Sequence, residues 1–340
     1  MKLLRYLKNL IETNLFLSSI FDKIASITIY KKIIKKQLKE ITSDLKKNKN
    51  YNIIIETTNF CNAKCIMCPH TTMKRSQKTM DNSTFNQIIY KLKQEKIKPT
   101  AFILNGFGEP LIDSNLISRI VTIKTQFPNS KVKFYSNLNL ANSKIIKNLV
   151  KSKLDEINIS LNGYNQKNYQ EVMKINYQKT IKNLKSLINI KKEYNSPLKI
   201  RISMTLVKAN ENSATNFIKK WSPLVDSVSV NKVHDYNGSV QNINNKYKIN
   251  YNKTAFPCRY LWDTIAFDVN GEIVLCCLDY ESQYTFGNVN HHSILKTYYS
   301  PKFELIRKQH LKFQSKNIPI CNNCYTPYKN GVEWLVKKLY

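Results

Sequence analysis

Ile53-Ile54-Ile55-Glu56-Thr57-Thr58-Asn59-Phe60-Cys61-Asn62-Ala63-Lys64-Cys65-Ile66-Met67-Cys68 joins two signals without a break. Its start, Ile53 to Thr57, is apolar and β-branched and predicts a strand. That strand runs straight into a Cys-x3-Cys-x2-Cys loop. The loop offers three thiolates, whereas a closed zinc site or a fully protein-ligated iron–sulfur cluster wants four protein ligands. Three leave one metal position open to a substrate or cofactor. A zinc site completed from a distance, by a residue such as His70, is the competing reading of the same residues.

Downstream, apolar runs recur at Ala101–Asn105, Val132–Ser136, Glu156–Leu161, Ile200–Val207 and Ser227–Val230. Helical periodicity separates them at Ser83–Lys93, Leu116–Gln126 and Ile181–Tyr194. Repeating βα units of about thirty residues predict a parallel sheet with helices outside. Ligands in such folds gather at the carboxyl ends of the strands. The fold class expected is α/β, a partial (βα)6 barrel over residues 51–235, followed by a small α+β unit.

Residues 237–254 are polar, asparagine-rich and aperiodic, so 236–256 reads as a linker. Beyond it, an alternating run at Thr264–Val269, a two-residue turn at Asn270–Gly271 and a return strand at Glu272–Cys276 predict a hairpin. A helix around Ser300–His310 and a Cys-x-x-Cys at Cys321 and Cys324 complete a unit over 257–340. Residues 1–50 show apolar positions at helical spacing among lysines. They read as a helical cap on the main domain or as a basic amphipathic surface for peripheral contact with an anionic membrane.

The 54 Lys and Arg outnumber the 23 Asp and Glu, for a formal charge of +31. The basic residues are spread along the chain and no nucleic-acid motif accompanies them, so no specific nucleic-acid partner is expected. Arg5, Lys8 and Glu12 interrupt the apolar run at the start, which argues against a secretory signal. A cytoplasmic chain follows. In a reducing compartment its eight cysteines are metal ligands or reactive thiols rather than disulfides.

With its place after the first strand and Met67 before the third cysteine, the three-cysteine loop resembles the radical S-adenosylmethionine (SAM) superfamily signature. The resemblance implies a 4Fe–4S cluster on Cys61, Cys65 and Cys68, with SAM chelating the open iron and yielding a 5′-deoxyadenosyl radical. The run Gly106-Phe107-Gly108-Glu109-Pro110 resembles the family's Gly-Gly-Glu-Pro segment, which hydrogen-bonds the SAM amino group. Ser136, Asn137 and Ser160 lie where the family contacts the SAM carboxylate or ribose, and Lys174 where relatives often carry arginine.

The C-terminal cysteines resemble the SPASM auxiliary-cluster domain in its shortened twitch form. That resemblance implies a second 4Fe–4S cluster on Cys258, Cys276, Cys321 and Cys324, while a four-cysteine zinc ribbon uses the same geometry. Alternation along the strand points Cys277 away from Cys276. It is then a packing residue or a hydrogen-atom donor to a substrate radical.

An electron donor such as flavodoxin or ferredoxin would serve the first cluster. Three functions remain open: oxidation or epimerisation of a sugar-like small molecule, modification of a ribosomal peptide, and a metal-stabilised binding protein. Arg201, His234, Asp235 and Tyr236 are candidates to grip the substrate.

Overall fold

The computed structural model describes residues 28–234, 236, 240, 257–322, 324 and 326. Its first element, α1 (Thr28–Asn48), lies on the C-terminal part of the chain. It buries Leu38 and holds the Lys46 ammonium 5.1 Å from the Tyr299 ring. The first part of the 1–50 segment, residues 1–27, lies outside the described residues.

The βα alternation follows. β1 (Asn50–Ile55) leads to α2 (Asn82–Gln94), and β2 (Lys98–Ile103) to α3 (Leu116–Gln126). β3 (Lys131–Ser136) leads to α4 (Ser143–Lys151), and β4 (Glu156–Ser160) to α5 (Gln166–Met173) and α6 (Tyr177–Glu193). β5 (Lys199–Thr205), α7 (Ala214–Trp221) and β6 (Ser227–Asn231) close the series. Short polar residues start these helices. Asp81, Asn142, Asn165 and Asn176 each accept a hydrogen bond from a backbone N–H of the first turn.

Strand alternation then sorts the faces. On β5, Ile200, Ile202 and Met204 are buried beneath the helices, while Arg201 and Ser203 face the concave side and stay partly open. On β3 the same rule buries Val132 and Phe134 and turns Lys133 and Tyr135 inward.

The C-terminal hairpin is part of the same sheet. After α8 (Tyr260–Asp263), β7 (Thr264–Phe267) pairs in parallel with β1. β8 (Glu272–Val274) and β9 (Thr285–Asn288) add to it antiparallel, giving one nine-stranded sheet in the order β6-β5-β4-β3-β2-β1-β7-β8-β9. A six-stranded partial barrel leaves β1 with an unpaired edge, and β7 satisfies it. α9 (Ile294–Tyr298) and α10 (Pro301–Leu311) pack behind the hairpin.

The turn differs from the two-residue loop expected at Asn270–Gly271. Asp268 N donates to Glu272 O and Gly271 N to Asp268 O, both at 3.0 Å, which makes a three-residue loop with Gly271 left-handed at φ 80°. The Asp268 carboxylate selects this form by accepting from Asn270 N and Glu272 N. The return strand stops at Val274, so Cys276 and Cys277 lie on the turn that follows it rather than on the strand. No helix among the described residues is long and apolar enough to cross a membrane.

Candidate active site

β1 delivers the chain to the three-cysteine loop, and the loop is held from both sides. Asn59, fully buried, accepts from Lys78 N at 2.6 Å and donates to Ser76 O at 2.9 Å. His70, the residue a zinc reading would recruit, sits with Nε2 2.8 Å from Asn59 O. Opposite, Lys64 N and Ile66 N donate to Met173 O and Val172 O at the end of α5, and Cys65 Sγ lies 3.4 Å from Met173 Sδ. Between these anchors Cys61, Cys65 and Cys68 line one wall of a cavity of about 690 Å³.

Burial pushes the Cys61 thiol up to about 11 and raises Cys65 and Cys68 as well; for Cys61 and Cys65 the other thiols add to it. Buried thiols without a cation nearby stay protonated, and a bound metal's charge reverses that. Soft thiol donors facing a cavity suit an iron–sulfur cluster with one open position. With Zn–S bonds of about 2.3 Å, a zinc must draw its ligands close together.

The segment after β2 forms the rim. Gly106 passes so close to β1 that a Cβ there would overlap the Glu56 carboxylate. A Cβ on Gly108 would strike Thr58 O and Phe60 O. Both glycines are therefore demanded by backbone approach to the cysteine loop. Glu109 N donates to Phe60 O at 2.8 Å. Its buried carboxylate accepts from Ser136 Oγ at 2.6 Å, Asn137 N at 2.7 Å and Leu111 N at 3.1 Å. Burial outweighs these three donors and lifts Glu109 to about 7. Asn137 Nδ2 reaches Asn62 Oδ1 in the cysteine loop at 2.9 Å, so rim and loop are one network. Met67 and Ser160 line the same cavity; Pro110 is buried behind it.

The far wall belongs to the C-terminal part, with Cys277, Leu278, Tyr260 and Thr264, joined by Tyr236. Cys276 belongs to the group with buried Cys258, Cys321 and Cys324. Burial raises Cys258 and Cys321 well above the ordinary thiol value, with the neighbouring thiols adding to it; Cys276 is raised by the Cys277 thiol first and by burial second. The two adjacent thiols are in hydrogen-bond contact on the turn and share a small pocket beside Phe107; only Cys277 also lines the cavity of the three-cysteine loop.

Several candidates lie elsewhere. Lys174 takes the left-handed position that ends α5, which points its side chain into solvent, while its neighbour Met173 lines the cavity. Arg201 is paired with Glu156 at 2.7 Å beneath the cavity. His234 Nε2 lies 3.5 Å from Cys324 Sγ, beside the second cysteine group. Asp235 falls outside the described residues. Asn162, Met173 and Tyr260 line the cavity without any sequence signal of their own. Arg75 was equally silent: its guanidinium grips Glu56 at the strand end.

The sequence model of the radical SAM superfamily matches residues 55–208, and that of SPASM, an iron–sulfur cluster-binding domain, matches residues 258–325. No curated protein sequence matches the chain. Among solved structures, BtrN in complex with AdoMet and 2-DOIA aligns with TM-score 0.56 and 16% identity, covering 81% of this chain and 92% of BtrN. SuiB of Streptococcus suis bound to precursor peptide SuiA gives 0.58 and 16%, covering 79% and 70%. AnSMEcpe with AdoMet and the Cp18Cys peptide gives 0.60 and 12%, covering 85% and 97%. At these identities the likeness is one of fold.

Proposed function

Residues 55–208 belong to the radical SAM superfamily and residues 258–325 to the SPASM domain family, and from that premise we propose that this enzyme oxidises or epimerises a sugar-like small molecule. The observation that carries the reading is the single cavity of about 690 Å³ that has Cys61, Cys65 and Cys68 on one wall and Cys277 on the other. Asn52, Asn105, Tyr135 and Ser160 give that cavity amide and hydroxyl groups suited to a hydroxylated substrate.

Cys61, Cys65 and Cys68 would hold the SAM-binding 4Fe–4S cluster, and Cys258, Cys276, Cys321 and Cys324 the auxiliary one. When bound, the groups supply a 5′-deoxyadenosyl radical for hydrogen abstraction and an acceptor for the second electron of an oxidation. Glu109 would receive the SAM ammonium, while Ser136 and Asn137 hold the carboxylate in place from the other side. Gly106 and Gly108 let this rim close onto the cysteine loop. Met67 and Ser160 would bound the SAM pocket. Cys277, facing the substrate side, would return a hydrogen atom from its thiol when the outcome is epimerisation. Flavodoxin or ferredoxin chemistry would supply the electrons. The domain division follows the same reading: 51–235 as the (βα)6 unit and 257–340 as the auxiliary unit, joined by 236–256.

The test is anaerobic reconstitution, reduction with dithionite, and detection of 5′-deoxyadenosine with candidate sugars and peptides. A ketone product supports oxidation, and solvent deuterium at an inverted carbon, lost in Cys277→Ala, supports epimerisation. Turnover confined to peptides would favour ribosomal-peptide modification, the chemistry class that the SuiB and anSMEcpe complexes bring to mind. No SAM cleavage with both clusters intact would leave a metal-stabilised binding protein.

A further inference from the structure

Below the cavity just described, the concave face opens into a second one of about 1200 Å³ at the starts of β3 to β6. Lys133 lines both. It is the only Lys or Arg among the described residues that line the upper cavity. It projects inward from β3 three residues before Ser136, about 10 Å down the strand. That depth takes it away from the SAM rim and toward the floor.

No ion pair of Lys133 occurs among the described residues. Directly opposite it on β4 stands Glu156, the natural partner by register. Glu156 is taken by Arg201 at 2.7 Å. Lys131 and Lys153, which line the lower cavity, are likewise unpaired among the described residues. Lys133 is half-buried between two chambers, and the exposed Lys131 and Lys153 stand at the rim of the lower one; the carboxylates there, Asp155, Glu156 and Asp226, are each paired with another cation, which leaves these three ammonium groups for a multiply charged anion.

We propose that Lys133 anchors a diphosphate-type group on the substrate, so that the sugar reacts in the upper cavity while its anionic tail lies in the lower one. The substrate class is then a nucleoside diphosphate-linked or otherwise diphosphorylated sugar. Chamber size agrees: with the cluster and SAM in the upper cavity, the lower one, about 1200 Å³, leaves room for an anionic tail. The inference rests on the proposed function for the sugar half and on Lys133 and its surroundings for the anionic half.

The experiment titrates inorganic pyrophosphate into the reconstituted, SAM-loaded full chain at low and moderate ionic strength, by calorimetry. The expected result is one site that weakens with salt, weakens at least tenfold in Lys133→Met, and stays within threefold in Lys133→Arg. Lys182→Met, which removes an exposed lysine on α6, controls for the general positive charge. Pyrophosphate binding that Lys133→Met leaves unchanged, or an absence of binding to the wild type, overturns the proposal. Circular dichroism of each variant separates lost binding from lost folding, and Lys133→Gln, which removes the charge but keeps a polar side chain and should weaken binding as Lys133→Met does, carries the test if Lys133→Met does not fold. Reductive SAM cleavage is scored separately on the wild type. Cleavage without pyrophosphate binding removes the anchor and keeps the proposed function; binding without cleavage does the reverse.

Discussion

Arg75 and Glu56 meet as a two-pronged ion pair, Nη1 to Oε2 at 2.6 Å and Nη2 to Oε1 at 2.7 Å. Glu56 directly follows the strand that feeds the cysteine loop and also accepts from Phe107 N and Val269 N. Arg75 Nε continues to Tyr280 O at 2.6 Å, beside the second cysteine group's turn. One carboxylate therefore joins the cysteine loop, the glycine rim and the C-terminal hairpin.

Removing one partner should be costly, because side-chain exposure is only 12% for Arg75 and 4% for Glu56. Arg75→Met leaves a buried carboxylate without its counter-charge and is expected to cost about 3–5 kcal/mol. Arg75→Lys keeps charge but not the fork and should fall between. Urea unfolding of the reconstituted chain reads both.

Gly108→Ala should destabilise by about 1–3 kcal/mol or more, since its Cβ meets backbone oxygens that cannot step aside. The damage should be local to the cysteine loop. Iron bound by the first three cysteines should fall while the second group keeps its own, as Mössbauer or chemical iron analysis of the variant would show.

The split between adjacent thiols predicts opposite iron contents. Wild type should hold about eight irons and the Cys61, Cys65, Cys68 triple alanine variant about four. Cys276→Ala should lose the auxiliary iron, and Cys277→Ala should retain all eight, because Cys258 and Cys321 have Cys276 and Cys324 as thiol neighbours and not Cys277. Equal losses from the two single variants would refute that separation.

Glu109 supplies the pH dependence. Its folded value, about 7, lies above the unfolded 4.5 because burial dominates. Its contribution to stability is then full below about pH 4.5 and is lost as the pH rises through about 7. Without SAM, the stability of wild type relative to Glu109→Gln should fall between those limits. SAM, whose ammonium favours the ionised form, should bind about tenfold tighter at pH 8 than at pH 6. Fluorescence or dialysis titrations at the two values measure it.

Local signals were legible in the sequence and distant partners were not. Cysteine spacing after an apolar run marked the loop, and recurring apolar runs marked the strands of the parallel sheet. Pairing across 212 residues, Asn52 with Thr264 (264 − 52), leaves no mark in either segment. Arg201 was readable as inward-facing but not as Glu156's partner, since alternation specifies a face and not a neighbour. Lys174 shows the reverse failure: its place in the chain suited a ligand role, yet the left-handed backbone that ends α5 turns it outward.

The lateral bond between β1 and β7 has a consequence during synthesis. Until Thr264–Phe267 has left the ribosome, the nascent β1 displays an open edge, with Ile54 on it, to any extended segment nearby. A fragment ending after β6 should accumulate in aggregates, and the C-terminal hairpin, supplied in cis, acts as the chaperone of the barrel that it also serves.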